Sequence, residues 1–290
     1  MNKRSVIFAA LLVFAGQVPP QDMWAESEPR SRFFTTSDGV ELHYLEAGSG
    51  PTLVFVPGWT MPAEIWKPQI QHFAENHRVI ALDPRGQGRS EKVGYGYHPS
   101  RRAQDIGELL EHLDAGSAVV VGWSLGVQEV LVYTHESGPE RIRAVVLVDH
   151  MIEMDCSRFA SRFANIQVDR ESWTREFIRA IFRTPQSEEY LEAVTQSALS
   201  TPTNAAAIMI GNLVLMGPCD LSPAMDALDR PVLFVASSQE WAVAEGERVR
   251  ERWPGTTVVA LENTGHTVFV DAPERFNSAL EEFLSKLPNG

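Results

Sequence analysis

Residues 118–127 read Ala-Val-Val-Val-Gly-Trp-Ser-Leu-Gly-Val, and no other stretch constrains the fold of this chain as tightly. A run of β-branched residues stops at Gly122, and a single hydroxyl, Ser124, follows among small neighbours. Residues 127–133 then carry a helix-like pattern. Gly-x-Ser-x-Gly at such a corner forces a tight turn, because a Cβ at Gly122 or Gly126 would collide with the neighbouring strand and helix. The turn pushes the Ser124 hydroxyl out at the carboxyl edge of a sheet, with a helix N-terminus behind it. An oxyanion formed there on a bound carbonyl meets free backbone N–H groups. Ser124 is therefore the candidate nucleophile. Without its flanking strand and helix, the pentapeptide would be an ordinary Gly/Ser turn.

The chain has 290 residues, 44% of them hydrophobic, enough for one substantial core, or for a core with a small appendage. A net charge of −13 argues against nucleic acid or an anionic membrane as partner. No zinc-type Cys/His spacing, Walker loop or internal repeat is present. Residues 1–25 read as a signal peptide: Asn2-Lys3-Arg4 is basic, 5–15 is apolar, and Pro19-Pro20 follows. The apolar run is well short of the roughly twenty residues that span a bilayer. Cleavage near Ala15-Gly16 or at Ala25 would leave an exported, periplasmic or secreted protein with no stable membrane insertion; an uncleaved anchor is the alternative. In an oxidising compartment Cys156 and Cys219 can pair, clamping the base of an inserted segment, or remain two buried thiols.

Apolar strands alternate with helices along the rest of the chain. Segments 32–36 and 40–46 read as a hairpin around Ser37-Asp38-Gly39. Buried strands are expected at 52–56, 79–82, 118–123, 144–148, 231–235 and 258–261, and helices at 65–72, 105–113 and 273–287. This alternation specifies an α/β fold with an open, mostly parallel central sheet flanked by helices and ligands at the strands' carboxyl ends. Segment 151–221 breaks the pattern. It is helix-like and rich in Phe159, Phe163, Trp173, Phe177, Met209 and Leu213, so it reads as a helical cap inserted after the sixth strand. The core then comprises 32–150 and 222–288.

A serine nucleophile needs a base, and the base needs an orienting acid. His266 follows the last strand within Asn263-Thr264-Gly265-His266-Thr267, where Gly265 lets the backbone aim the ring across the sheet edge. His43, His72, His77, His98, His112 and His135 have no strand-end context and read as solvated or helix-surface groups. Glu240 is the expected acid, since it follows the strand 231–235 by a few residues. Asp149, at the end of the preceding strand, is the alternative; as a bystander it would cap a helix. The oxyanion hole would use the backbone N–H groups of Leu125 and of Trp59, in the loop after strand 52–56, with Gly58 leaving room for substrate.

The order Gly-Trp-Ser-Leu-Gly, acid, Gly-His resembles the α/β-hydrolase superfamily. Asp83-Pro84-Arg85-Gly86-Gln87-Gly88-Arg89-Ser90 resembles that superfamily's turn after the fourth strand, and 271–277 its final-helix start. The likeness runs from Arg32 to Leu287 and implies a Ser-His-acid hydrolase with the α/β-hydrolase fold and a helical cap. Its pattern is close to the esterase, lactonase and cofactor-free haloperoxidase branches, so no cofactor and no metal are expected. Pro57 stands where the family usually has histidine, and Glu240 where it usually has aspartate. A serine at 124 excludes the aspartate-nucleophile epoxide hydrolases and haloalkane dehalogenases. It leaves open the cofactor-free oxygenases, which take an acid after the sixth strand as Asp149 would be. The expectation is hydrolysis of a small to medium hydrophobic ester or lactone. A haloperoxidase, perhydrolase or oxygenase of the same fold, or a binding protein that has lost turnover, is the alternative.

Overall fold

The computed structural model describes residues 28–215 and 219–288. The expected signal peptide, 1–25, and Met216 of the inserted segment lie outside the described residues. Eight strands form one sheet: β1 (Arg30–Thr35), β2 (Glu41–Ala47), β3 (Thr52–Val56), β4 (Arg78–Leu82), β5 (Ala118–Trp123), β6 (Ile142–Val148), β7 (Val232–Ala236) and β8 (Thr257–Ala260), in the order β1-β2-β4-β3-β5-β6-β7-β8. β1, β2 and β4 pair antiparallel, and every later pairing is parallel.

The continuous apolar runs follow from burial on both faces. Register sets Val54 between Ile80 and Val120, and these side chains face α2 (Pro99–His112) and α3 (Leu125–Ser137). The alternate residues Leu53, Phe55, Val119 and Val121 face the opposite layer, α1 (Lys67–Phe73), α10 (Val268–Asp271) and α11 (Pro273–Ser285). β8, at the edge, is only half-buried.

Among the described residues, four α-helices run between β6 and α8 (Ser222–Ala227): α4 (Ala160–Val168), α5 (Arg170–Ile181), α6 (Glu188–Ser200) and α7 (Thr203–Leu215). The two ends of this insertion are tied together. Glu153 bridges Asp220, Leu221 N–H donates to Ile152 O at 2.8 Å, and Cys156 is disulfide-bonded to Cys219 with Cα atoms 5.6 Å apart. The insertion lies over the carboxyl ends of the strands, where Trp59, Tyr97 and Leu125 pack with Ile166, Met209 and Ile210. α9 (Glu240–Arg252) completes the layer beside β7. Among the described residues, no helix is long and apolar enough to cross a membrane.

The corner after β5 shows why its glycines are needed. A Cβ on Gly122 would stand 2.6 Å from Gly126 O, and one on Gly126 would stand 2.5 Å from Val56 O. Ser124 between them has φ +53° and ψ −121°, a strained conformation that the packed strand and helix impose.

Candidate active site

Three strand ends converge on one edge of the sheet. Ser124 leaves β5, Asp149 leaves β6, and His266 lies on the loop after β8. Ser124 N–H donates to Val148 O and Asp149 N–H to Val235 O, so backbone bonds extend the sheet into the site. The Ser124 hydroxyl lies 2.9 Å from His266 Nε2, and His266 Nδ1 lies 2.7 Å from Asp149 Oδ2. The other carboxylate oxygen of Asp149 accepts Ser237 N–H at 2.6 Å. With both oxygens engaged, the wholly buried Asp149 cannot rotate away from the ring. A carboxylate on Nδ1 selects the tautomer that leaves Nε2 free to accept the serine proton.

The carboxylate in contact with the imidazole is therefore Asp149, the alternative, and not the expected Glu240. After β7 the chain turns at Ser237, and Glu240 is the first residue of α9, exposed at the helix N-terminus. A carboxylate there is stabilised by the helix dipole and points into solvent rather than at the imidazole. Asp149 caps no helix. Its φ of +50° is a left-handed conformation that aspartate tolerates better than most residues, and it directs the carboxylate back across the sheet edge.

The His266 ring is held from several sides. Trp123 Nε1–H donates to His266 O at 2.8 Å, and its ring centroid is 5.2 Å from the imidazole. Asp271 fixes the loop by accepting Gly265 N–H at 2.7 Å, and it also accepts the N–H groups of Arg183 and Thr184 from the insertion. The loop that carries His266 is thereby coupled to the end of α5.

Leu125 opens α3, so its N–H precedes the first intrahelical bond. Gly58 lies so near Ser124 that a Cβ there would be 3.0 Å from Ser124 Cβ. Trp59 is enclosed by the insertion: its ring N–H donates to Ala206 O at 2.9 Å, Trp173 and Phe177 meet it edge-on at 5.3 and 5.6 Å, and the Arg170 guanidinium sits 5.0 Å from its centroid.

One other histidine departs from expectation, and a further one lies beside the site. His43 is not solvated; it is wholly buried on β2, with Asp83 Oδ2 at 2.7 Å and Ser31 Oγ at 2.9 Å. His150, to which the residue pattern assigned no role, follows Asp149 directly and is buried with no hydrogen-bond partner at Nε2. Burial, and then the nearby His266 charge, push His150 down to about 3, so it is neutral beside the site. Its place right after a strand-end aspartate was the available signal. Among the described residues, no group of three or more His, Cys, Asp or Glu side chains could hold a metal ion.

Comparison with known proteins bears on the family and the fold. Residues 53–279 match the model of the alpha/beta hydrolase family. The chain is 27% identical over 271 residues to the non-heme chloroperoxidase CPO-A1 of Kitasatospora aureofaciens, covering 87% of this chain and 98% of that one. It is 34% identical over 119 residues to the bifunctional esterase/perhydrolase DCH of Acinetobacter calcoaceticus, covering 40% of this chain and 43% of that one. The esterase EaEST of Exiguobacterium antarcticum superposes with a TM-score of 0.82 at 20% identity, over 89% of this chain and all (100%) of that one; this likeness is one of fold.

Proposed function

The chain belongs to the alpha/beta hydrolase family, and from that premise we propose that it cleaves a small to medium hydrophobic carboxylic ester or lactone through an acyl-enzyme on Ser124. The observation that carries this reading is the unbroken chain from Ser124 Oγ through His266 to Asp149, at 2.9 and 2.7 Å. His266 Nε2 takes the serine proton as Oγ attacks the carbonyl carbon. The N–H groups of Trp59 and Leu125 receive the developing oxyanion. His266 then returns the proton to the departing alkoxide, which leaves as the alcohol. In the second half a water gives its proton to His266, attacks the acyl carbon and releases the acid, and Ser124 regains its proton. Asp149, 2.7 Å from Nδ1, stabilises the imidazolium.

The insertion, residues 151–221, acts as a cap in this proposal. Trp173 and Phe177, packed against Trp59, give it an apolar underside suited to a hydrophobic acyl or alcohol group. We also propose that the protein is exported. The basic-apolar leader pattern and the Cys156–Cys219 bond support this, since disulfides persist in oxidising compartments.

p-Nitrophenyl esters of graded chain length, assayed with wild type and Ser124→Ala, test the proposal. Turnover only by the wild type is expected, and equal rates from both proteins would end it. Perhydrolysis is the second reading, favoured by the likeness to a protein named an esterase/perhydrolase. Hydrogen peroxide would replace water in the second half-reaction: it gives a proton to His266 and attacks the acyl carbon, the bond to Ser124 Oγ breaks, the acyl group leaves as a peracid and Ser124 regains its proton. Peracid formation from an ester plus peroxide, lost in Ser124→Ala, is its signature. The intact Ser124–His266–Asp149 contacts support turnover over ligand binding alone.

A further inference from the structure

The loop after β3 carries Gly58 and Trp59 against the nucleophile, and it is tethered from beneath by groups outside the catalytic chain. Gly58 O accepts Met61 N–H at 3.2 Å, closing a tight turn, and Thr60 within that turn has φ +59°. A β-branched residue is disfavoured in the left-handed region, so this turn keeps its shape only where neighbours impose it. Gln87 imposes it. Its Nε2 donates to Gly58 O at 3.0 Å and to Met61 O at 2.9 Å, the first and last carbonyls of the turn.

The amide of Gln87 is itself held in one orientation. Its Oε1 accepts Arg102 Nη2–H at 3.1 Å. Arg102 also donates through Nη1 to Arg85 O at 2.9 Å and through Nε to Glu129 Oε1 at 2.6 Å. Flipping the amide would set its oxygen against two carbonyls and its NH2 against a guanidinium, losing three hydrogen bonds in a site from which water is excluded. Gln87, Arg102 and Glu129 are 0%, 3% and 1% exposed. Arg102 stands on α2 and Glu129 on α3, the helix that Leu125 opens. The relay therefore links the loop bearing one proposed oxyanion donor to the helix bearing the other.

We infer that Gln87, oriented by Arg102 and Glu129, is a positioning residue that sets the placement of the Trp59 N–H relative to the Leu125 N–H across Ser124. The inference rests on the hydrolase reading above and adds a residue to it that never touches substrate.

Two quantities test it: kcat on a p-nitrophenyl ester per site titrated to completion with a fluorophosphonate, and the dissociation constant of phenylboronic acid. The boron accepts Ser124 Oγ, the serine proton passes to His266, and the resulting tetrahedral adduct presents an oxygen to the oxyanion donors. In Gln87→Leu, kcat per titrated site falls by about 10- to 100-fold. KM changes by less than about threefold, because the lost interaction belongs to the transition state. The boronic acid dissociation constant rises in step with the fall in kcat. Gln87→Glu keeps the size and the Arg102 contact but turns acceptors toward both carbonyls, and gives the same pattern if the leucine variant does not fold. Glu129→Gln keeps the shape of the relay without its charge and gives a smaller loss of the same kind.

A role confined to packing would lower the melting temperature and the number of titrated sites. It would leave kcat per site and boronic acid affinity at wild-type values, and that result overturns the inference. If the wild type hydrolyses no ester yet binds the boronic acid, the ester reading fails and the boronic acid series alone decides the role of Gln87. A wild type that binds no boronic acid overturns both.

Discussion

Ser31, His43 and Asp83 are joined by contacts of 2.9 and 2.7 Å, the same two distances that join Ser124, His266 and Asp149. The surroundings differ. Ser31 lies in regular strand on β1, paired with Leu45 at the sheet edge, and its Oγ accepts Arg89 Nη1–H at 2.9 Å. Asp83 also accepts the N–H groups of Ala63 and Arg89, and His43 is sealed in the core. That chain uses its hydrogen bonds to pin the segment after β4 and the turn before α1. Ser124 instead sits at a strained helix start beside Gly58, and the His266 side chain is 18% exposed. Serine, imidazole and carboxylate in contact thus occur in two settings, and only one of them fits the proposed chemistry. Backbone donors around the serine and access to the imidazole separate the two.

The largest effect expected from breaking this comparison is on Ser124. Ser124→Ala should lower ester turnover by about 10⁴-fold or more and abolish fluorophosphonate labelling. Labelling that persists at Ser31 would refute the distinction between the two chains. Asp149→Asn should lower kcat by about 10²- to 10⁴-fold, because the imidazole loses its tautomer and its counter-charge. Glu240→Gln should stay within about twofold of wild type in the same assay, as surface substitutions usually do.

His43→Leu should act on stability rather than on turnover. It leaves the buried Asp83 short of a donor and should cost about 2 kcal/mol in denaturant unfolding, with kcat per folded molecule little changed. The third histidine, His150, has no acid to hold its proton. Its folded value is depressed to about 3, below the ordinary value of 6.5, so the unfolded chain binds the extra proton between those limits. Its share of stability is thus complete above pH 6.5 and declines as pH falls toward 3. By pH 5 wild type should lose about 2 kcal/mol that His150→Gln retains, read from urea midpoints across pH. The smallest effect is that of Ser31→Ala, within about twofold of wild-type turnover.

Much of this architecture was legible in the residue pattern. Continuous apolar runs such as 52–56 and 118–121 are long enough for a strand and too uniform for a surface, so they locate the central parallel sheet. The strand-to-helix corner at Ser124 was legible because its glycines answer a local steric demand. The acid was not. Glu240 and Asp149 both follow strands that end at the same edge, and only the direction of each side chain separates them. His43 misled for a related reason: an alternating strand gives no sign that a neighbouring strand covers it and wholly encloses one of its polar residues.

Local order along the chain thus determined the sheet, the strained corner and the loop that carries His266, because sterics and hydrophobic periodicity act between near neighbours. Tertiary structure alone decided that Asp149 rather than Glu240 meets the imidazole, that Cys156 and Cys219 join across the base of the insertion, and that Gln87 grips the turn beside Ser124. Each of those outcomes depends on side-chain direction across segments distant in sequence. Directions of that kind exist only after the layers have packed and excluded water from the polar groups between them.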